Sequence, residues 1–336
     1  MIFNQTMKYL VLIFILFFPY IANSKDSSVT VFMYHRFNES KHPATNISLE
    51  VFEQQIEYLV NNNFNVLPLT QLVMFLKNNK KIPNKSVFIT IDDAYKSFYK
   101  YGFPILKKFK LPLSIFVSTD FISSNDNSDF MNWAMLREIS KNQGLILNHT
   151  KNHESLLNIQ LHDLSKNITE NQRIIERKLG THPKIFSYPY GESNIEIEEV
   201  IKNLNYQIAF SQHSSPISKN DNLFRLPRFA LNEEFGDLER FKQILELKPL
   251  TIENLSFEDT IFNTDNLQLS FESKIPSKDI NCFVNNLASL KKESIGYVSH
   301  LNIKNLKLAT RYRINCTHTN KKGDIFWFGK MVKRIN

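Results

Sequence analysis

Residues 87–93 of this chain read VFITIDD, an apolar run that ends on two adjacent carboxylates. A short run of apolar and β-branched residues bounded by polar ones is typical of a buried strand. Two comparable units follow, LILNHTKNH at 145–153 and IFSYPYG at 185–191. In all three, polar residues begin where the apolar strand ends. Because an α/β barrel carries its catalytic groups at the carboxyl ends of parallel strands, this pattern predicts a barrel with one functional face.

Short apolar segments alternate with amphipathic segments from residue 29 to residue 228. Repeated strand–helix units indicate a parallel sheet, and this number of units favours closure into a barrel. We predict strands at 29–34, 64–67, 87–91, 113–117, 145–147, 185–187 and 207–210, with a last strand leading to Arg228. We predict helices around 52–59 and at 70–77, 103–109, 133–141, 161–179 and 195–203.

Beyond residue 250 the pattern changes, and apolar residues alternate with polar ones. This period of two predicts an antiparallel β-sandwich at 251–336, after a barrel domain at 25–250. Leu306 and Tyr312 stand six apart before a predicted strand. Their spacing loosely resembles the tyrosine-corner region of fibronectin type III and immunoglobulin-like domains.

The N-terminus has the features of an export signal. Lys8 precedes an apolar run at 9–21, and the small residues Ala22 and Ser24 follow it. This predicts a signal peptide at 1–24 that is cleaved on export to the periplasm or cell exterior. The alternative is an uncleaved anchor, but the run is shorter than the roughly 20 residues that span a bilayer. Since no later stretch approaches that length, we expect no stable membrane span after cleavage.

Composition excludes several other classes of site. The chain has 8 glycines and contains neither GxGxxG nor GxxxxGK[ST], which removes the simplest nucleotide-binding sites. Its formal charge of +8 is scattered along the sequence, so we expect no nucleic-acid partner. The two cysteines, Cys282 and Cys316, are too few for a cysteine-based metal site, so any metal requires histidine and carboxylate ligands. In an exported protein we expect them to form a disulfide.

The polar residues at the predicted strand ends have the chemistry of a metal hydrolase. His149 and His153 are four apart, and a carboxylate from the Asp92–Asp93 pair would complete three protein ligands. Catalytic zinc sites combine three such ligands with a bound water, and a second carboxylate nearby serves as the base. Each element alone has a structural explanation, such as a helix cap, a turn or a core histidine. Their coincidence on one face favours catalysis.

Three of these segments resemble the motifs of the polysaccharide deacetylases, the NodB-homology fold of carbohydrate esterase family 4. ITIDDAY at 89–95 is similar to the first motif, TFDDG. HTKNH at 149–153 matches the second motif, HTxxH, and FSYPYG at 186–191 matches the end of the third. The resemblance spans about residues 29–230. Three further stretches resemble the branch of the family that acts on poly-N-acetylglucosamine. They are MYHRF at 33–37, FEQQ at 52–55 and LPL at 67–69.

The resemblance implies a distorted, incomplete (β/α) barrel that hydrolyses N-acetyl groups of an amino-sugar polysaccharide. It implies one divalent ion, zinc in our prediction. Asp92 would be the general base, and the backbone N–H of Tyr190 would stabilise the oxyanion, with Pro189 and Tyr190 against the substrate. The implied metal ligands are Asp93, His149 and His153.

Three positions depart from the family pattern. Ala94 replaces the usual glycine, and Ser187 stands where many members have an arginine that supports the base. Arg228 is our candidate to supply that guanidinium from another strand. The late Leu-x-x-His motif is missing, since residues 231–260 contain no histidine. In the exopolysaccharide branch the acid comes from the start of the chain, which makes His35 the candidate general acid.

Two other functions remain compatible with the same motifs. One is a catalytically inactive carbohydrate-binding protein, although a pure binder has no need of an open metal site. The other is a hydrolase of small non-carbohydrate amides. The signal peptide and the added β-domain favour a polymer outside the cytoplasm.

Overall fold

The computed structural model describes residues 29–78, 80–122, 129–180, 184–286 and 288–336. The predicted signal peptide at 1–24 lies outside these ranges. The strands up to residue 230 are β1 (Thr30–Tyr34), β2 (Arg36–Phe37), β3 (Asn46–Ile47), β4 (Asn65–Val66), β5 (Ser86–Asp92), β6 (Leu113–Val117), β7 (Gly144–Asn148), β8 (Ile185–Ser187), β9 (Ile208–Phe210) and β10 (Phe229–Ala230). The helices are α1 (Leu49–Asn61), α2 (Leu69–Asn78), α3 (Phe103–Lys108), α4 (Trp133–Lys141), α5 (Leu161–Leu179), α6 (Ile195–Asn203) and α7 (Leu238–Glu246).

Eight parallel strands form an incomplete barrel. Seven follow the order β10-β1-β5-β6-β7-β8-β9, and β4 pairs with the start of β5. The segment 226–230 spans the gap between the two edges of the sheet. Its residue Leu226 makes a single bridge to Phe210 of β9, and its strand β10 pairs with β1. This arrangement places the carboxyl ends of β1, β5, β7 and β8 around one opening, as the strand–helix pattern predicts.

Most of the predicted barrel elements are present, but one strand end was misplaced, and β2, β3 and α7 were not predicted. The prediction that Arg228 ends the last strand is wrong, because β10 begins at Phe229 and Arg228 lies in the approach to it. There the backbone N–H of Arg228 donates to the carbonyl of His213 rather than to a strand neighbour. Helix α7 was not predicted; it packs Phe241 onto Phe32 with ring centroids 4.5 Å apart.

Local sequence explains where the helices begin. The side chain of Ser48 caps α1 by accepting from the N–H of Val51. Asn132 and Asn194 cap α4 and α6 in the same way. A side-chain acceptor at this position satisfies an N–H that has no partner within the helix.

Both faces of β5 are buried, which accounts for its unbroken apolar sequence. Val87, Ile89 and Ile91 pack into one apolar cluster, whereas Phe88 packs into another. Because side chains alternate along a strand, Asp92 shares the face of Phe88 and Thr90. The strand therefore directs the carboxylate of Asp92 into the barrel, while Asp93 lies just beyond the strand.

The C-terminal part forms two packed sheets. Its strands are β11 (Lys248–Pro249), β12 (Ile252–Glu253), β13 (Ile261–Phe262), β14 (Leu267–Ser273), β15 (Asn281–Val284), β16 (Ser289–Ile295), β17 (Val298–Lys304), β18 (Arg311–Thr319) and β19 (Ile325–Arg334). One sheet has the order β11-β19-β18-β15 with β13 beside β19, and the other has the order β12-β14-β17-β16. The long strands pair antiparallel, but β11 and β13 run parallel to β19, a mixed pairing that simple alternation does not reveal.

Alternating residues of both sheets form the sandwich core, including Leu269, Phe271 and Ile314. Cys282 and Cys316 are direct cross-strand partners on β15 and β18 and form a disulfide, as expected. Among the residues that the structure describes, no helix is both long enough and apolar enough to cross a bilayer.

Candidate active site

Three potential metal ligands meet at the carboxyl ends of β5 and β7. Asp93 Oδ1 lies 3.0 Å from Nε2 of His153 and 3.4 Å from Nε2 of His149. The three ligand atoms all lie within 4.8 Å of one another. This is the ligand set that the motifs imply, brought together from two strand ends that are more than fifty residues apart in the chain.

The backbone at these strand ends is unusual. Five non-glycine residues adopt positive φ angles of 55–71°, namely Asp93, Ala94, Thr150, His153 and Tyr190. Such conformations are uncommon for residues with a Cβ and persist where the surrounding structure holds them. Ala94 has a φ of 57°, which explains why glycine is the usual residue in the family motif. The tight turns direct side chains from short loops toward one point.

The ligand atoms are oriented for a cation. The Nδ1 atom of His149 lies 2.7 Å from the carbonyl oxygen of Ser187, which makes Nδ1 the protonated nitrogen and leaves the Nε2 lone pair free. Nε2 of His149 and Oδ1 of Asp93 are both buried and have no hydrogen bond of normal geometry. One carboxylate and two imidazoles fit a divalent ion such as zinc.

Asp92 is not part of the ligand cluster; it forms an ion pair with the buried side chain of Arg228. Its two oxygens accept from Nη1 and Nη2 of Arg228, each at 2.7 Å, and both side chains are fully buried. Arg228 also donates to Ser187 Oγ, Thr90 Oγ1 and the carbonyl of Ser211. Burial raises the pKa of Asp92, yet the guanidinium and nearby imidazoles reverse this effect and lower it overall. Asp92 is therefore an ionised carboxylate beside the three ligands.

His35 follows β1 at the same opening. Burial lowers the pKa of its imidazole, and the charges of Asp93 and Asp92 oppose this effect only in part. Arg228 and His149 lower that pKa further. His35 thus follows the end of β1, and its imidazole interacts electrostatically with Asp92, Asp93, Arg228 and His149.

The turn Pro189–Gly191 forms another side of the opening. Pro189 is buried, whereas Tyr190 is 40% exposed. The ring of Tyr190 meets that of His153 edge-on, with centroids 4.7 Å apart. Of the two residues predicted to lie against the substrate, Tyr190 therefore borders the ligand cluster.

A row of three stacked aromatic rings that begins near His153 was not predicted. Phe121, 38% exposed, stacks on Phe130 at 4.9 Å, and Phe130 stacks on Tyr95 at 5.0 Å. Burial and the charge of Asp93 raise the pKa of Tyr95 to about 12, so its hydroxyl stays protonated. Tyr95 lies two residues after Asp93, a proximity that was visible in the sequence. The positions of Phe121 and Phe130 depend on tertiary packing and gave no local signal.

Comparisons with known proteins concern the barrel. Residues 79–209 match the family model described as polysaccharide deacetylase. A poly-beta-1,6-N-acetyl-D-glucosamine N-deacetylase of Staphylococcus aureus is 26% identical over 242 residues, which cover 62% of this chain and 81% of that protein.

Solved structures share the barrel. Streptococcus pyogenes deacetylase PplD, solved in complex with acetate, has a TM-score of 0.61 at 20% identity, covering 66% of this chain and 99% of its own. IcaB from Ammonifex degensii has a TM-score of 0.58 at 22% identity, covering 65% and 96%. At these identities the likeness shows the fold of the barrel.

Proposed function

We propose that this chain, which carries a polysaccharide deacetylase domain, hydrolyses the N-acetyl groups of an amino-sugar polysaccharide. The observation that carries the proposal is the juxtaposition of two kinds of group at one opening. An ionised Asp92 lies beside a separate cluster of Asp93, His149 and His153. In this cluster Oδ1 of Asp93 and Nε2 of His149 are buried and have no hydrogen-bond partner within the described part of the chain. A base next to an open cation site is the minimum that amide hydrolysis by a metal hydrolase requires.

Each residue has a distinct proposed role. Asp93, His149 and His153 would hold one divalent ion, which when bound lowers the pKa of water and polarises the acetyl carbonyl. Asp92 takes the proton from the attacking water, and Arg228 keeps that carboxylate ionised. The N–H of Tyr190 donates to the oxygen that becomes negative as water adds to the acetyl carbon. Pro189 and Tyr190 form the wall against the acetylated sugar.

The leaving amine needs a proton, and His35 is the proposed donor. Cleavage of the carbon–nitrogen bond releases acetate and a free amino group on the sugar. A histidine beside the base can receive a proton and deliver it to this nitrogen. Because burial lowers its pKa, a protonated His35 is a stronger acid than an exposed histidine.

The substrate is proposed from chemistry and from similarity. The Staphylococcus aureus relative is named for poly-β-1,6-N-acetyl-D-glucosamine, and we propose a polymer of this class for the present chain. The partly exposed rings of Phe121 and Tyr190 both lie near His153 and are suited to packing against sugar rings. The apolar segment at 9–21 supports export to the periplasm or cell exterior, where such polymers occur.

Acetate release combined with metal analysis tests the proposal. The purified protein would be loaded with zinc and incubated with β-1,6-linked and β-1,4-linked N-acetylglucosamine oligomers and with a small N-acetyl amide. We expect one bound ion per chain and acetate release from a sugar oligomer. An Asp93→Ala variant is the matched control and should lose both. Binding of oligomer without acetate release would indicate an inactive carbohydrate-binding protein, and release from the small amide alone would exclude a polysaccharide substrate.

A further inference from the structure

The C-terminal sandwich contacts the turn that carries Tyr190. Arg311, the first residue of β18, donates from Nη1 to the carbonyl oxygen of Tyr190 at 3.0 Å. The guanidinium carbon also lies 5.7 Å from the centroid of the Tyr190 ring. A residue from outside the barrel therefore binds the backbone of a turn that lies beside the candidate metal ligands.

A second contact passes through Glu192, whose side chain is 5% exposed. Its Oε1 atom lies 2.8 Å from Nζ of Lys333 and 3.7 Å from Nε of Arg311. Its Oε2 atom accepts from the hydroxyl of Ser155, two residues after His153. This buried carboxylate thus joins three segments, the loop of His153, the turn of Tyr190 and the sandwich. Because burying a charge is unfavourable unless it is paired, the two cations of the sandwich help to keep Glu192 in place.

The turn requires support from outside. Tyr190 has φ 59° and ψ 5°, a left-handed conformation that is strained for a residue with a side chain. The next residue, Gly191, also has a positive φ, and a Cβ there would lie 2.4 Å from the backbone nitrogen of Gln212. The turn is therefore pressed against the barrel on one side and held by Arg311 on the other. The direction of the Tyr190 N–H depends on this conformation.

We propose that Arg311 is a positioning residue, which with Lys333 and Glu192 holds the Tyr190 N–H in the direction needed to bind the oxyanion. The inference rests on the proposed function and extends it, because it makes the sandwich part of the catalytic apparatus. Arg311 acts through the backbone of Tyr190 and does not touch the reacting atoms. We expect its removal to relax the turn while Asp93, His149 and His153 still hold the ion.

A direct role of Arg311 in binding polymer is the competing explanation, since its side chain is 35% exposed. The two roles differ in their kinetics. Loss of a positioning residue lowers kcat for every acetyl substrate, including a small activated ester, because all of them form the same oxyanion. Loss of a polymer contact raises KM for the oligomer and leaves the ester unaffected.

The test compares Arg311→Ala, Arg311→Lys and the control Lys291→Ala in the full chain. Lys291 is an exposed sandwich residue that pairs with Glu293. Zinc-loaded proteins would be assayed on an activated acetyl ester and on an N-acetylglucosamine oligomer, and hydrogen exchange would be followed in a peptide covering 187–193. In Arg311→Ala we expect kcat to fall about 10- to 100-fold on both substrates with unchanged metal content. Exchange in the turn should become faster, while Arg311→Lys recovers part of the activity and Lys291→Ala behaves as the parent.

Unchanged kcat in Arg311→Ala, or a rise in KM confined to the oligomer, would overturn the inference. If the parent protein hydrolyses the ester but no sugar, the proposed substrate fails while the ester kinetics still decide the role of Arg311. If it hydrolyses neither, the proposed function fails and hydrogen exchange decides. Unaltered protection of the turn would then show that Arg311 does not hold it.

Discussion

Replacing Arg228 with glutamine should leave the buried carboxylate of Asp92 without its positively charged partner. All five N–H groups of Arg228 have acceptors, two of them the oxygens of Asp92, and neither side chain is exposed. Removing one partner of such a buried pair costs about 3–5 kcal/mol, because the other charge is left without compensation. For a chain of this size that cost corresponds to a fall in Tm on the order of 10 °C at neutral pH.

The loss of stability in Arg228→Gln should depend on pH in a defined direction. In the parent protein the pKa of Asp92 is lowered, so its contribution to stability is present above the unfolded-state pKa and is lost as pH falls through the folded-state pKa. Without the guanidinium, burial dominates and raises the pKa of Asp92 above the unfolded value. The folded variant then binds a proton more tightly than the unfolded chain. The difference in Tm between the variant and the parent should therefore shrink between pH 7 and pH 5.

The pH dependence of activity should reflect the raised pKa of Asp92 in the variant. Because the base works as the carboxylate, raising its pKa moves the acid limb of the kcat/KM profile to higher pH. The matched control is Arg225→Gln, which breaks another largely buried ion pair, with Glu198, on the outside of the barrel. It should lower Tm without moving the acid limb. Thermal unfolding at pH 5 and pH 7, together with pH–rate profiles, measures both effects. An Arg228→Gln profile that overlies the parent's would show that Arg228 does not keep Asp92 ionised.

Three further predictions concern the metal ligand and base, the general acid, and the disulfide. His153→Ala should abolish stoichiometric metal binding, measured by elemental mass spectrometry. Asp92→Asn should keep the ion and lose turnover by roughly 10²–10⁴-fold. Retained metal in His153→Ala, or lost metal in Asp92→Asn, would contradict the assignment of ligand and base. His35→Gln should keep the metal, lose about 10²–10⁴-fold in kcat and lose the alkaline limb of the pH–rate profile, and near-normal turnover would make His35 a structural residue. Replacing Cys282 and Cys316 together by serine opens a loop whose ends are 34 residues apart and should reduce the free energy of unfolding by roughly 3–4 kcal/mol in a denaturant titration; an unchanged midpoint would contradict this.

Local patterns were sufficient for much of the fold. The predicted helices at 133–141, 161–179 and 195–203 have the bounds of α4, α5 and α6, because their apolar spacing is local and capping residues directly adjoin them. Asn132 and Asn194 precede α4 and α6, and Gly180 follows α5. The ligand cluster was also predictable, since two of its members share one short loop and the third follows a strand. Its assembly needed only the rule that parallel strands end on the same side.

Features that depend on contacts between distant segments were not predictable in this way. Helix α7 lies after the last predicted barrel element and is held by its contact with Phe32 of the first strand. Arg311 is one of several charged residues on alternating strands, and nothing in its neighbourhood in the sequence marks it as a partner of Tyr190. The parallel pairing of β11 and β13 with β19 likewise depends on where the chain returns.

The departure from the family motif at Ser187 shows how a charge can be kept in space while its position in the sequence changes. The family pattern places an arginine at this point to support the base. Here the guanidinium arrives from Arg228, which precedes β10 and reaches Asp92 across the barrel. Ser187 accepts from the same guanidinium at 2.8 Å, and its small side chain leaves the volume that the incoming arginine fills. A variant that restores the family residue, Ser187→Arg, would thus place two guanidinium groups beside one carboxylate. We expect it to unfold at lower temperature unless Arg228 is replaced at the same time by a small residue. The double variant should recover stability relative to either single one, and strictly additive losses in Tm would show that an arginine at 187 does not take over the contact of Arg228 with Asp92.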